Sequence, residues 1–595
     1  MPGLQEFIQK LDEGSGAKIL KWVVLGLFVL GVIIAYDMRE YKSFGTAEAM
    51  DAAQVARNVS EGNGFTTQNI RLFSLYLVSK HRTDHSPLIR EAHPDLANAP
   101  LYPALLGGYM KLAPFNFETQ KDEWRYQPEV LIALLNQLFF LLAILMVFRL
   151  AKRLFDAPVA WCSAFVMFGS DLLWRFSVSG LSTSFLIVIL LGLIECLVRY
   201  DEEARQESSQ IRKLLLWAGL GGVLLGLGAL TRYAFGWFVV PTTLFVLLTS
   251  KPQHRIMAAA AFILPFILVL TPWMIRNYQV SGTLFGTAGY AVMQDTVRLP
   301  DNLLERLLKP DFEKLHSVDI EDYFRKFLVN SGQILQNDLP KLGGSWLTAF
   351  FLVGLMIPFK NPSISRLRLL VVSSLLWMVI IQALGRTHLT ADSPDINTEN
   401  LLVLFAPLIF IFGAALFFIL LDHMDLPFPE LRRLVIGIAM ALACFPLIFT
   451  FLPPRSYAAA WPPYYPWLNQ RAARWVDKNE LIMSDIPWAV AWYGQRKAVW
   501  LTQDCTEDFF GLNDHLKSVN ALYLTQVTMD QRFQSRLMTG PERPWGRFIL
   551  ECLSAGKVPS GFPLKRAWSD LFPEQIYLAD WERWKKTGAG VKKKE

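Results

Sequence analysis

Charge is what this sequence has least of. Only 18% of its 595 residues are Asp, Glu, Lys or Arg, against 52% hydrophobic, and the mean hydropathy is +0.28. That balance excludes an ordinary cytosolic enzyme and an intrinsically disordered chain alike. A net charge of +6 is small for this length, and the basic residues flank apolar runs rather than gathering in one patch, so nucleic-acid binding has no support. Five cysteines are too few for a disulfide framework. Cys162, Cys196 and Cys444 fall in apolar runs as small packing residues, while Cys505 and Cys552 lie in the polar tail and could pair there in an oxidising compartment. No A-x-A-like cleavage site follows Met1 to Ala17, so the first apolar run reads as a retained anchor. No internal repeat is evident. His81, His85 and His93 fit no zinc-ligand spacing, and no metal is expected.

What the chain has in quantity is apolar runs. A spanning helix needs about 20 mainly apolar residues, because the hydrocarbon core is roughly 30 Å thick and each residue rises about 1.5 Å. By that ruler about eleven spans are expected: Ile19–Tyr36, Val130–Phe148, Pro158–Leu173, Phe176–Val198, Leu214–Thr231, Tyr233–Ser250, Ile256–Met274, Trp346–Phe359, Leu369–Leu384, Leu401–Leu421 and Leu434–Leu452. Nineteen Trp and 42 Phe suit the aromatic belts of such a protein. Lys and Arg flank the spans on one side only (Lys18 and Lys21, Arg149 to Arg153, Arg199 to Lys213, Lys251 and Arg255, Lys360 to Arg368, Arg432 and Arg433), which places that side and the N-terminus in the cytoplasm. The loops 37–129, 276–345 and 385–400 and the tail then face outward. For this parity to hold, Pro100–Phe115, with its Pro, Gly and Lys residues, must lie at the interface instead of crossing.

Two regions follow: a transmembrane region, 1–454, and a small outward α/β domain, 455–595. In the tail, Trp461–Tyr465 reads as a hinge, Asn469–Lys478 as a helix, Leu481–Ser484 and Ala498–Leu501 as strands, and Lys592–Glu595 as a disordered end.

The first outward loop carries the most informative text. Glu48 and Asp51 are three apart, sharing one face of a helix whose apolar stripe, Val55 and Val59, could rest on the membrane; Gly62 and Gly64 stop it. His93-Pro-Asp95 and Pro100-Leu-Tyr102-Pro103 return the chain to the bilayer. An acidic residue eight positions before Ala56-Arg57, then Gly62-x-Gly64-Phe65 and Pro-Leu-Tyr-Pro, resembles the first external loop of the GT-C superfamily of polyprenyl-phosphate-sugar-dependent glycosyltransferases, in its protein mannosyltransferase and aminoarabinose transferase branch. Gly222-x-x-x-Gly226-Leu-x-x-Leu-Thr231-Arg232, Pro272-Trp273-x-x-Arg276-Asn277 and the Leu-rich run around Pro407 resemble later motifs of that superfamily, in order, over roughly Leu20 to Pro454.

The resemblance implies a GT-C-like membrane fold and an inverting, metal-independent transfer from a polyprenyl-phosphate sugar to an outward protein, lipid or glycan acceptor; the compact loops between spans and the lack of organelle signals point to a bacterial inner membrane. It puts the catalytic carboxylate at Glu48, where the superfamily usually has Asp, with Asp51 as second candidate. A first-loop carboxylate would act as general base on the acceptor, and cations must hold the departing lipid phosphate. Arg57, Arg232, Arg276, Arg386 and His388 are the candidates for that role, and Asp95 and Tyr102 belong to the substrate loop. Two other readings stand beside this one. A transporter would need ionisable residues within its spans, which are nearly free of them. An inactive relative serving as a scaffold in envelope polysaccharide assembly is the alternative, because Glu stands where Asp is usual.

Overall fold

The computed structural model describes residues 15–82, 89, 92–120, 123, 125–206, 210–310, 319–357, 361–424, 428–453, 464–529, 537–540, 542–568 and 575–585, with the side chains of 15–18 and 555 left aside. The expected tail end, the hinge residues Trp461–Pro463, and His85 lie outside them.

Every apolar run is helical. Among the described residues eight helices are long and apolar enough to cross a membrane: Ile19–Glu40, Gln127–Leu154, Thr183–Arg205, Ile211–Thr231, Pro252–Ser281, Pro362–Gly385, Leu402–His423 and Pro429–Thr450. Three of the eleven expected spans differ. Pro158–Leu173 is not one straight span: the helix Ala157–Phe168 breaks at Gly169 and Ser170 and resumes as Asp171–Val178, bent by 54°. The end of that second piece takes Phe176–Val178, so the next helix begins at Thr183. Tyr233–Ser250 opens with a 3-10 turn, Tyr233–Phe238, before the helix Val239–Thr249. Trp346–Phe359 supplies only the nine-residue helix Trp346–Gly354, too short to cross alone.

Close packing holds the bundle. Gly222 and Gly226 let the helix Ile211–Thr231 approach its neighbour Arg255–Ser281 so nearly that a Cβ on Gly222 would meet the Phe262 carbonyl oxygen at 2.0 Å, and one on Gly226 would meet Val269 at 2.8 Å. The small residues of a G-x-x-x-G stripe do this in membranes, where backbone approach replaces the hydrophobic drive. At the bundle end carrying Arg153, charges are paired: Arg153 with Glu195 at 2.6 Å and with Glu202, Arg199 with Glu195 at 2.7 Å, and Asp201 with both Arg205 at 3.0 Å and Arg366 at 2.9 Å.

The opposite end is capped by the first loop and the tail together. The helix Ala47–Ser60 packs on Leu101–Leu112, and Gly107 lies under it with no room for a Cβ, which would meet Ala56 O at 2.9 Å and Val59 at 3.0 Å. The stripe of Val55 and Val59 is therefore spent on protein contacts, with Val55 fully buried, and not on lipid. The 12-residue helix Leu101–Leu112 does not cross.

In the tail, a helix spans Pro466–Arg474, beginning three residues before the expected one, and Leu481–Ser484 (β4) and Lys497–Trp500 (β5) are strands. They join Asn69–Ile70 (β2), Val519–Leu524 (β6), Arg566–Trp568 (β7) and Ile576–Ala579 (β8) in a six-stranded sheet of order β2-β5-β4-β6-β8-β7, while Thr66–Thr67 (β1) pairs His93–Pro94 (β3). β2 comes from the first loop and runs parallel to β5, Asn69 opposite Ala498. Ile70, Leu72 and Leu75 share the sheet's core with Leu481, Met483 and Val499. Glu129, at the start of a span and fully buried, ties the three parts: it accepts from Phe44 N at 2.9 Å and Trp492 Nε1 at 2.8 Å. Cys505 and Cys552 are both free thiols, so the pairing is not formed.

Candidate active site

Glu48 and Asp51 stand one turn apart on the helix Ala47–Ser60, yet the structure sends them to different surroundings. The three-residue step turns the side chains about 60° apart, enough here to part them. Asp51, 1% exposed, is saturated: Oδ1 accepts from Asn69 Nδ2 at 3.0 Å, and Oδ2 from Arg71 Nη1 at 3.0 Å and Asn98 Nδ2 at 2.9 Å. Arg71 also pairs with Glu305 at 3.2 Å; against the burial that would lower it, the Asp51 and Glu305 carboxylates hold the Arg71 guanidinium pKa above its ordinary value. The local sequence explains the geometry: β2 sets Asn69 at the sheet edge, Arg71 follows at the turn into the helix Leu72–His81, and Asn98 lies in the turn capped by Asp95.

Asp95 belongs to this same cluster. It accepts from Ala97 N and Asn98 N at 3.2 Å each, and shares the Asn98 amide with Asp51. Burial, with Asp51 close by, pushes its carboxyl up to about 6. Arg276 supports the turn from the bundle: Nη1 donates to Asp95 O at 2.6 Å and Nη2 to Phe65 O at 3.1 Å, with the guanidinium 4.7 Å from the Trp273 ring centre. His93 packs nearby against Ser74 Oγ at 2.7 Å, and burial followed by Arg276 and Arg71 pulls its imidazole down to about 3, so it is neutral.

Glu48 faces the loop 386–400. Its Oε1 accepts from Thr398 N and Thr398 Oγ1, each at 3.1 Å, and among the described residues both bonds fall on this one oxygen. Burial raises its carboxyl above the usual range, against those hydrogen bonds. Arg232, directly after the helix Ile211–Thr231, feels Glu48 and Glu399 as its neighbouring carboxylates, and burial draws its guanidinium down to about 10. Its Nη2 donates to Thr183 Oγ1 at 3.2 Å and Ser182 Oγ at 3.5 Å, while Nε and Nη1 are buried with no partner. Two buried guanidinium nitrogens without partners have lost water without compensation, so the structure leaves a positive, donor-rich position within the field of two carboxylates.

More unused polar atoms sit on the same loop. Arg386 pairs with Asp338 and donates to Gln333 Oε1 at 3.2 Å, leaving Nε unpartnered, and His388, 5.5 Å from the Trp500 ring, has Nδ1 unpartnered. Below, toward the bundle, Leu190, Leu193, Phe238, Thr242, Val371 and Phe405 line an apolar crevice. Its walls are the helices that begin at Thr183 and follow Arg232, together with Pro362–Gly385, which leads into that loop.

Two sequence candidates stand apart. Arg57 pairs with Glu61 at 3.0 Å and lies 3.9 Å from the Phe117 ring centre. The Tyr102 hydroxyl donates to Gly180 O at 2.8 Å and meets Asn136, pinning the helix Leu101–Leu112 to the bundle. Sequence reasoning missed Arg71, Thr398 and Glu399. Arg71 lies one residue past a two-residue strand, and the other two are polar residues in a loop for which the sequence gives only an expected outward side.

Residues 126–275 match the family model for dolichyl-phosphate-mannose-protein mannosyltransferase. That segment holds Thr183 and Arg232, not Glu48. The oligosaccharyltransferase of Archaeoglobus fulgidus in its apo form is similar with a TM-score of 0.54 at 11% identity, over 87% of this chain and 72% of that one. The fold is GT-C-like, as in that enzyme. The same archaeal enzyme tethered to an acceptor peptide with an NVT sequon gives 0.50 at 11% identity, over 97% and 75%. ArnT of Cupriavidus metallidurans bound to undecaprenyl phosphate gives 0.49 at 10% identity, over 94% and 98%. No curated protein matches the chain significantly. The chain is a multi-span membrane protein by its apolar helices, similar in fold to the archaeal oligosaccharyltransferase.

Proposed function

We propose that the chain transfers a sugar from a polyprenyl-phosphate-linked donor to an extracytoplasmic acceptor, with Glu48 as general base and Arg232 as the ligand of the donor phosphate. The observation that carries this reading is the pair of idle, buried Arg232 nitrogens beside Glu48. A phosphate would satisfy an idle donor, Nη1 or Nε, in the charge-assisted way that guanidinium groups favour. The apolar crevice on the same helices suits the start of an isoprenoid chain, and the matched family model names a lipid-phosphate sugar.

The transfer balances as follows. The acceptor hydroxyl or amine gives its proton to Glu48 as its heteroatom bonds to the anomeric carbon. The bond from that carbon to the phosphate oxygen breaks with inversion, and the polyprenyl phosphate leaves with the electron pair, its charge held by Arg232. Arg386 Nε and His388 Nδ1 are the next donors available to the headgroup or the sugar. Guanidinium charge serves here in place of a metal. Arg276, Asp95 and Tyr102 act by shaping the loop above the donor. We assign the chain to a bacterial inner membrane, with the sheet region outside the cytoplasm, where it helps to hold the acceptor.

The test is transfer from radiolabelled polyprenyl-phosphate sugars by purified protein in the presence of a chelator, with co-purified lipid identified by mass spectrometry. Turnover that Glu48→Gln abolishes supports the assignment. No turnover with any donor, and no polyprenyl phosphate bound, favours the scaffold.

A further inference from the structure

We propose that Thr398 is the positioning residue of the active site: it fixes the Glu48 carboxylate through Oε1 and thereby presents Oε2 to the acceptor. This rests on Glu48 as the base. The geometry is one-sided. Thr398 N and Thr398 Oγ1 converge on the same oxygen, both at 3.1 Å, across 350 residues of sequence. A carboxylate gripped by two donors on one oxygen has its rotation set, and its other oxygen is aimed with it.

Thr398 can impose that orientation because its own loop is built rigidly and without Glu48. Asn397 Oδ1 accepts from Glu399 N and Asn400 N, each at 2.9 Å, and Asn397 Nδ2 donates to Ser393 O at 2.6 Å. The Glu399 carboxylate takes Thr387 N at 3.0 Å on both oxygens and Thr390 Oγ1 at 2.6 Å. At the base, Gln382 Oε1 accepts from Leu401 N at 2.9 Å and Leu402 N at 3.1 Å. The span Pro362–Gly385 is thus linked through its following loop to one oxygen of a helix in the first loop. Positions that orient a base in this way act through preorganisation.

The same contacts set the protonation of the base. The charged and titratable groups facing Glu48 are Glu399 from the loop, Arg232 from the bundle and Tyr464 from the tail. Burial and Glu399 favour the neutral acid; the bond from the Glu48 backbone N–H and the two Thr398 bonds favour the carboxylate. Removing the hydroxyl takes away one bond to the charged form, so the base ionises at higher pH.

The measurement is the pH dependence of kcat/KM in Thr398→Val, Thr398→Ala and Thr398→Ser, alongside Glu48→Gln. The acidic limb should move up by about one pH unit in Val and Ala, with kcat lowered and the KM for the lipid donor unchanged, while Ser restores the wild-type limb. Ala lacks the hydroxyl without the β-branch and serves if Val does not fold. A wild-type limb in either variant lacking the hydroxyl overturns the role of Thr398. Full activity in Glu48→Gln overturns instead the reading of Glu48 as the base.

Discussion

Two carboxylates on one short helix meet opposite fates. Asp51 is enclosed by an arginine and two asparagine amides, with a protein donor on each oxygen. Glu48 takes two bonds from Thr398 on one oxygen and a further bond from its own backbone N–H, and it feels the charge of an arginine with idle donors. The lesson is that burial alone does not mark a reactive acid. What separates the two is how far the protein has completed the charge balance: around Asp51 an arginine and two amides do so, while Arg232, which feels Glu48, keeps two buried nitrogens without a partner.

The largest effect should come from exchanging the roles experimentally. Glu48→Gln removes the proton acceptor and should lower kcat by about 10²–10⁴-fold, with thermal stability in detergent near that of the parent. Asp51→Ala should do the reverse. It strands Asn69, Asn98 and part of the Arg71 charge in a buried site, at a cost of about 3–5 kcal/mol, read as a large fall in Tm. If Asp51→Asn abolishes transfer in a well-folded protein while Glu48→Gln spares it, the comparison is inverted.

Next in size is Arg232. Arg232→Gln keeps a polar side chain yet loses the charge, and should weaken binding of the lipid-phosphate donor by about ten- to a hundredfold, since a charge-assisted bond is worth roughly 1.5–3 kcal/mol. Titration with polyprenyl phosphate reads it directly. Undiminished binding would detach the idle guanidinium from the donor and leave it as a strained structural residue.

How far the sequence carried is visible in these same residues. The apolar runs foretold the helices, because a 30 Å slab imposes one length on every span; the departures came where Gly169 broke a run and where Trp346–Gly354 ended early. The strand Leu481–Ser484 was legible from its β-branched and apolar run between polar residues. Glu48 and Arg232 were legible through motif resemblance, and the structure brings them within each other's field. Their difference from Asp51 was not legible, because it depends on Asn69 being delivered by a strand that pairs with Ala498, far along the chain. Thr398 was hidden for the same reason: a contact over 350 residues leaves no local pattern.

Gly222 tests the frame beneath both sites. Gly222→Ala places a methyl 2.0 Å from the Phe262 carbonyl oxygen, so the helices Ile211–Thr231 and Arg255–Ser281 must separate. Overpacking of this kind costs typically about 1–3 kcal/mol, and because Arg232 and Arg276 ride on these two helices, Tm and donor affinity should fall together. A variant as stable as the parent would show that the close approach is not a constraint.

The smallest effect belongs to Asp95 and carries a sign. Its carboxyl is raised from 3.8 to about 6, so the folded state binds that proton more tightly than the unfolded chain does. The associated stability is fully present below about 3.8 and is lost as pH rises through about 6. Above that, the parent carries an ionised Asp95 close to the Asp51 carboxyl, a cost that Asp95→Asn removes while its one side-chain oxygen can still accept from Ala97 N or Asn98 N, which in the parent bond to different oxygens. The gain in Tm from Asp95→Asn should therefore be greater near pH 8 than near pH 4.5. A gain that is the same at both, or larger in acid, would mean that Asp51 and Arg71 already balance Asp95, so that the enclosed cluster is neutral overall and the contrast with the Glu48 side is greater still.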